Sequence, residues 1–123
     1  MPTDLDPATL AAQRCVSADD STPQLSPDEV TRLSAGLDPA WQVLDDRLIR
    51  SFAFPTFAAA FGLATRIALL AENQNHHPAL EVAWGRLTVT WTTDAIAGLS
   101  ANDLIMAAKV DRLVARGFAL KDG

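Results

Sequence analysis

The stretch from Thr56 to Pro78 constrains the fold of this chain more than any other. Phe57, Phe61, Ala64, Ala68 and Ala71 form one row at spacings of four and three. Ala60, Leu63, Ile67 and Leu70 form the adjacent row. This is the repeat of an α-helix with a wide apolar face, suited to lying across a sheet. Thr56, just after Pro55, is the predicted N-cap. Pro78 must stop the helix, because it has no N–H to donate and its ring disfavours a helical residue before it. Gly62, Thr65, Arg66, Glu72 and Asn73 point elsewhere. So does Leu69, which predicts a second covered surface, such as a contact with another subunit.

On each side of this helix lies an alternating pattern broken by a tight turn. Trp41 to Leu44 and Leu48 to Phe54 read as strands joined by Asp45-Asp46-Arg47. Leu48, Phe52 and Phe54 share a face, with Arg50 the odd polar member. After the helix, Leu80, Val82 and Trp84 alternate with Glu81 and Ala83, which predicts Trp84 in the core. Gly85-Arg86 makes the turn, and Leu87, Val89 and Trp91 then alternate with three threonines. A short first helix opens on the capping box Ser26-Pro27-Asp28-Glu29 and buries Val30 and Leu33. A last helix opens at Ser100-Ala101-Asn102-Asp103, with Asp in place of the usual Glu. It turns Met106, Ala107, Val110, Leu113 and Val114 inward and ends near Gly117. The order is α-β-β-α-β-β-α. Residues 1–24, rich in Asp, Ser, Thr, Pro and Ala with no period, are expected to form a mobile or loosely docked arm.

Composition narrows the function classes. A chain of 123 residues that is 49% hydrophobic has the material for one domain with a real core. Its net charge of −5 and lack of any basic stripe argue against nucleic acid. One cysteine, Cys15, allows no intrachain disulfide and fits a reducing compartment. Asp4 and Asp6 stand where a signal peptide would be basic, then apolar. The apolar stretch Phe57 to Ala64 is too short to span a bilayer. A cytoplasmic domain with no membrane association is expected.

The chemistry-bearing residues gather where the long helix stops. His76 and His77 are the only histidines. Three readings are open: solvent-facing loop residues, a metal site, or acid–base chemistry. Adjacent histidines rarely aim both rings at one ion, and Cys15 is remote in sequence. For proton transfer, Glu72 lies one turn before His76 and within its reach. Asp103 reads as a capping residue first, Trp84 as packing, and Cys15, Met106 and Trp91 as structural.

The wider pattern runs Glu72-x-x-x-His76-His77-Pro78, an aromatic at Trp84, then Ala97-Gly98-Leu99-Ser100-x-x-Asp103. Together with Trp41, Phe52-x-Phe54 and Ala71-Glu72, it resembles the pterin-4a-carbinolamine dehydratase family from about Ser26 to Arg116. The resemblance implies an α+β fold over 25–120: a four-stranded antiparallel sheet with three helices on one face and an open concave face. It implies a hydro-lyase, a 4a-hydroxytetrahydrobiopterin dehydratase of tetrahydropterin recycling, which removes water from a 4a-hydroxytetrahydropterin to give the quinonoid dihydropterin. No metal or organic cofactor is implied. His76 and His77 are the implied catalytic residues, with Glu72 and Asn75 lining the site. The backbone from Thr92 through Thr93 and Ala95 to Ile96 is implied to hydrogen-bond the pterin edge. A homodimer or homotetramer, with sheets joined edge to edge, is implied as well. The chain departs from the family at Asp94, where a third histidine is common, and at Asn75, where Asp is frequent. Asp94 is a candidate proton-transfer or pterin-binding group, and a carboxylate there puts more of the acid role on His76. The same departure fits an alternative, a non-catalytic binding or assembly factor on the same fold.

Overall fold

The computed structural model describes residues 7–117. Along the chain it runs α1 (Pro7–Ala12), α2 (Pro27–Ser34), β1 (Gln42–Leu44), β2 (Arg47–Ala53), α3 (Phe57–Gln74), β3 (Ala79–Ala83), β4 (Arg86–Trp91) and α4 (Ala101–Ala115), with a 3-10 turn at Asp94–Ile96. The strands form one antiparallel sheet in the order β1-β2-β4-β3. The α+β class and the sheet are those expected from the sequence, with one helix more.

Both hairpins follow from their turn chemistry. Leu44 pairs with Arg47, and Asp45 and Asp46 both take positive φ, at 51° and 61°. A two-residue loop of that kind matches the twist of the strands, and Asp tolerates it. The second hairpin pairs Ala83 with Arg86, so Trp84 and Gly85 form the loop. Gly85 has φ +70°, and its carbonyl accepts from the Phe54 N–H at 2.8 Å. This placement corrects the core assignment of Trp84, which is 73% exposed. The turn falls one residue earlier than alternation suggests, because the glycine takes the left-handed position.

One face of the sheet carries the core. Leu48, Arg50 and Phe52 of β2 stand opposite Trp91, Val89 and Leu87 of β4, and all six are buried. The other face presents Ser51 and Thr88, whose hydroxyls meet at 2.9 Å. Arg50 stays charged in the core because Asp111 accepts from its Nη1 at 2.8 Å, and Asp38 lies 3.5 Å from Nη2. The Trp41 indole N–H donates to the same Asp111 at 2.7 Å. A buried cation needs such partners.

α3 lies over β3 and β4, and α4 over β2 and β4. The stripe of α3 that faces the core is Ala60, Leu63, Ala64, Ile67, Ala71 and Gln74. Phe57 and Phe61, expected inward, are about half exposed, and Ala68 is exposed too. The apolar face of α3 is wider than the sheet beneath it, so periodicity alone does not say which row is covered. Leu69 is on the open side as expected.

The arm expectation is corrected from Pro7 onwards. α1 docks on α4 with Leu10 and Ala11 buried, and the Lys109 ammonium donates to the Ala11 carbonyl at 2.7 Å. Val16 exchanges two hydrogen bonds with the Asn102 side chain, at 3.0 and 2.7 Å. The Cys15 N–H donates to Gln74 Oε1 at 2.9 Å. Two apolar side chains and a few polar clamps suffice to fix a segment with no sustained period. Covered by α1 and α2 as well as the sheet, α4 is buried nearly all round at its N-terminal half, Leu104 and Ile105 included. Residues 1–6 and 118–120 of the expected arm and domain lie outside the described residues.

Burial pushes the Cys15 thiol up to about 11. At pH 8 its thiolate fraction is then roughly 100-fold below that of an unshifted thiol. Ellman's reagent should label Cys15 slowly in the native protein and at the ordinary rate in denaturant. Fast native labelling would show that the 15–16 clamp opens readily.

Candidate active site

The two histidines part company at the end of α3. Asn75 caps the helix in the left-handed conformation, φ 53° and ψ 40°, which asparagine tolerates. The reversal brings the His76 N–H back to the Ala71 carbonyl at 3.3 Å. It turns His76 inward, where only 7% of the residue is exposed, and leaves the His77 side chain 52% exposed.

His76 sits in a polar network inside the core. Its Nε2 lies 2.7 Å from Oδ1 of Asp103, a residue with no exposed surface. The other oxygen, Oδ2, accepts from the Thr93 hydroxyl at 2.7 Å and the Ser100 N–H at 2.9 Å. With Thr93 donating to the carboxylate, the Ser100 hydroxyl must donate to Thr93, 2.7 Å away. A carboxylate with two other donors assigned to it accepts from His76 as well. That places the proton of neutral His76 on Nε2 and leaves Nδ1 as the proton acceptor. The imidazole also stacks on Trp91, with centroids 5.9 Å apart and planes 10° from parallel. Tautomer and ring plane are thus both fixed.

Glu72 does not reach His76, the pairing expected from helical spacing. Its Oε1 lies 2.7 Å from Nε2 of His77 instead. The i, i+4 argument assumes that the helix continues to residue 76. The left-handed Asn75 breaks that phase and carries His77 to the glutamate. His77 therefore has its own carboxylate partner, at the surface rather than in the core.

The segment after β4 is held from within. Thr93 N–H donates to the Gly98 carbonyl at 2.9 Å, and the Thr93 carbonyl accepts from Ile96 at 3.1 Å. The Thr92 hydroxyl lies 3.2 Å from the Asp46 carbonyl and 3.3 Å from that of Gly98. Both main-chain groups of Thr93 are thus engaged, and its hydroxyl serves Asp103. Asp94 and Ala95 open the 3-10 turn and are exposed, with Ile96 half-buried. No hydrogen bond or ion pair links the Asp94 carboxylate to another described side chain. The structure therefore joins His76 to Thr93 and pairs His77 with Glu72, while Asp94 and Asn75 project into solvent nearby in sequence. Among the described residues, no three His, Cys, Asp or Glu side chains cluster as a metal site would require.

Asp103 is the member that sequence reasoning undervalued. It does cap α4 as expected, through the Ser100 N–H. The signal for its second task was its length: an aspartate at this capping position keeps its carboxylate close to the helix start. Trp91 is structural as read, and the plane on which His76 rests.

Known proteins match this chain closely. The sequence model of the family described as Pterin 4 alpha carbinolamine dehydratase matches residues 23–113. A protein of Rubrobacter xylanophilus is 44% identical over 105 residues, covering 85% of this chain and 97% of its own. One of Chlorobaculum tepidum is 38% identical over 109 residues, covering 85% and 97%. Both carry the name "Putative pterin-4-alpha-carbinolamine dehydratase". Among solved structures, a transcriptional coactivator/pterin dehydratase from Brucella melitensis superposes with a TM-score of 0.69 at 34% identity. It covers 74% of this chain and 98% of that one.

Proposed function

The chain belongs to the pterin 4 alpha carbinolamine dehydratase family, and from that membership we propose that it dehydrates a 4a-hydroxytetrahydropterin. In this reaction the C4a–O bond breaks and the departing oxygen takes a proton from an acid. A base removes the N5 proton, and the electron pair left on N5 forms the C4a=N5 bond of the quinonoid dihydropterin. Water is the only other product. Acid and base must both work near neutral pH, which suits two imidazoles.

The observation that carries this reading is the pairing of each histidine with its own carboxylate, His76 with Asp103 and His77 with Glu72. A carboxylate on Nε2 orients the ring, fixes the tautomer and stabilises the imidazolium that forms when Nδ1 takes a proton. His76 is the oriented, buried member and His77 the accessible one. The exposed start of the 3-10 turn, from Asp94 to Ile96, offers main-chain groups and a carboxylate to the pterin edge. A homodimer or homotetramer completes the proposal. Val43 and Leu44 on the edge strand β1, and Phe57 and Phe61 on α3, are apolar side chains at least 47% exposed.

Turnover of the carbinolamine above its uncatalysed rate is the direct test, and Asp94 gives it resolution. Proton transfer by Asp94 predicts that Asp94→Asn lowers turnover while pterin affinity holds, and a binding role predicts the reverse. Asp94→His should raise activity where the aspartate is a weaker substitute. Wild type with neither turnover nor pterin binding would sink the enzyme reading and leave the non-catalytic binding factor.

A further inference from the structure

A concavity lies between α3 and the C-terminal part of α4, with a volume of about 290 Å3. Four cations line it: Arg66 from α3, and Lys109, Arg112 and Arg116 from α4 and its C-cap. These are four of the ten Lys and Arg residues in a chain of net charge −5. Spacings of three and four put the α4 members on one face. The rest of the wall includes Leu69, Leu70 and Leu113.

The acidic residues of these two helices are Glu72, Asp103 and Asp111, and each is held elsewhere. Glu72 pairs with His77, Asp103 with His76 and Thr93, and Asp111 with Arg50 and Trp41. The Lys109 ammonium donates to a neutral carbonyl, that of Ala11. Burial holds Lys109 below the ordinary lysine range, and nearby Arg112 and Arg14 act in the same direction. Like charges gathered in one concavity repel, and a bound multivalent anion relieves the repulsion.

We propose that this groove binds a small multivalent oxyanion, a phosphate ester or polycarboxylate with a short apolar body. The guanidinium groups of Arg112 and Arg116 offer planar forks that match carboxylate and phosphate oxygens. The leucines accept the apolar part. The volume sits at the lower end of small-molecule sites, which favours a compact ligand over a polymer. The proposal is independent of the dehydratase reading, since none of the groove's side chains belongs to the histidine site.

The probes are pyrophosphate and citrate, titrated calorimetrically at low ionic strength, with sodium chloride of matched ionic strength as control. Saturable one-to-one binding of at least one probe is expected, weakening as salt rises. Pyrophosphate alone would indicate phosphoryl recognition, citrate alone carboxylate recognition, and both recognition of charge. Arg112→Gln combined with Arg116→Gln should weaken binding by about tenfold or more. Arg66→Gln, on the other helix, should weaken it too and serves as the check where the double variant does not fold. Dehydratase turnover of the folded variants should match wild type. No saturable binding up to about 10 mM, an equal effect of chloride, or folded variants that bind like wild type would each overturn the proposal.

Discussion

Asp103→Ala is expected to be the most damaging single substitution in the site, lowering both stability and turnover. The carboxylate is fully buried and receives His76, the Thr93 hydroxyl and the Ser100 N–H. Its removal strands three donors in the core and takes the cap from α4. Losing one partner of a buried charged network costs on the order of 3–5 kcal/mol. For a domain of this size that is a fall in Tm of roughly 10 °C or more. Asp103→Asn keeps the volume but turns one acceptor into a donor facing donors, so it should fall between wild type and alanine. A double-mutant cycle with His76 should give a coupling energy well above the ~0.5 kcal/mol scatter of independent sites. A coupling within that scatter would show that the 2.7 Å contact does not hold the imidazole.

The second large effect separates the two histidines. His77→Ala and His76→Ala should each lower the dehydration rate by about 10²-fold or more, the usual worth of a positioned acid or base. Their stabilities should differ. The His77 side chain is half exposed, so its loss should stay within about 0.5 kcal/mol of wild type. His76 stacks on Trp91 and partners a fully buried carboxylate, so His76→Ala should cost about 1–3 kcal/mol as well. A sequence reading that treats both residues as facing a cleft predicts no such difference. Equal and small stability effects would mean that His76 leaves its buried position in solution. Full turnover in both variants would defeat the proposed acid–base role.

Local order in this protein is written in local sequence. The capping boxes at Ser26 and Ser100, the N-cap Thr56, both hairpins and the 18-residue helix α3 all follow from residues within a few positions of each other. Strand period, helix period and turn chemistry act at that range, so they were legible. The family pattern was legible for the same reason, as an ordered set of short motifs. What tertiary structure decided involves either a choice among equivalent faces or a contact across long separations. α3 has more apolar surface than the sheet covers, and the placement of β3 and β4 selected the Ala60–Leu63–Ile67 stripe over Phe57 and Phe61. α1 has too little pattern of its own, and its burial depends on an α4 surface about a hundred residues away. The candidate site is decided the same way. Asp103 reads as a cap because its partner His76 is 27 residues distant. Glu72 pairs with His77 because a single left-handed residue, Asn75, shifts the phase of everything after it. Sequence named the histidines; the left-handed turn at Asn75 and the contact of His76 with Asp103 at the start of α4 decided which one is buried, which carboxylate each meets, and which nitrogen of His76 is left as an acceptor.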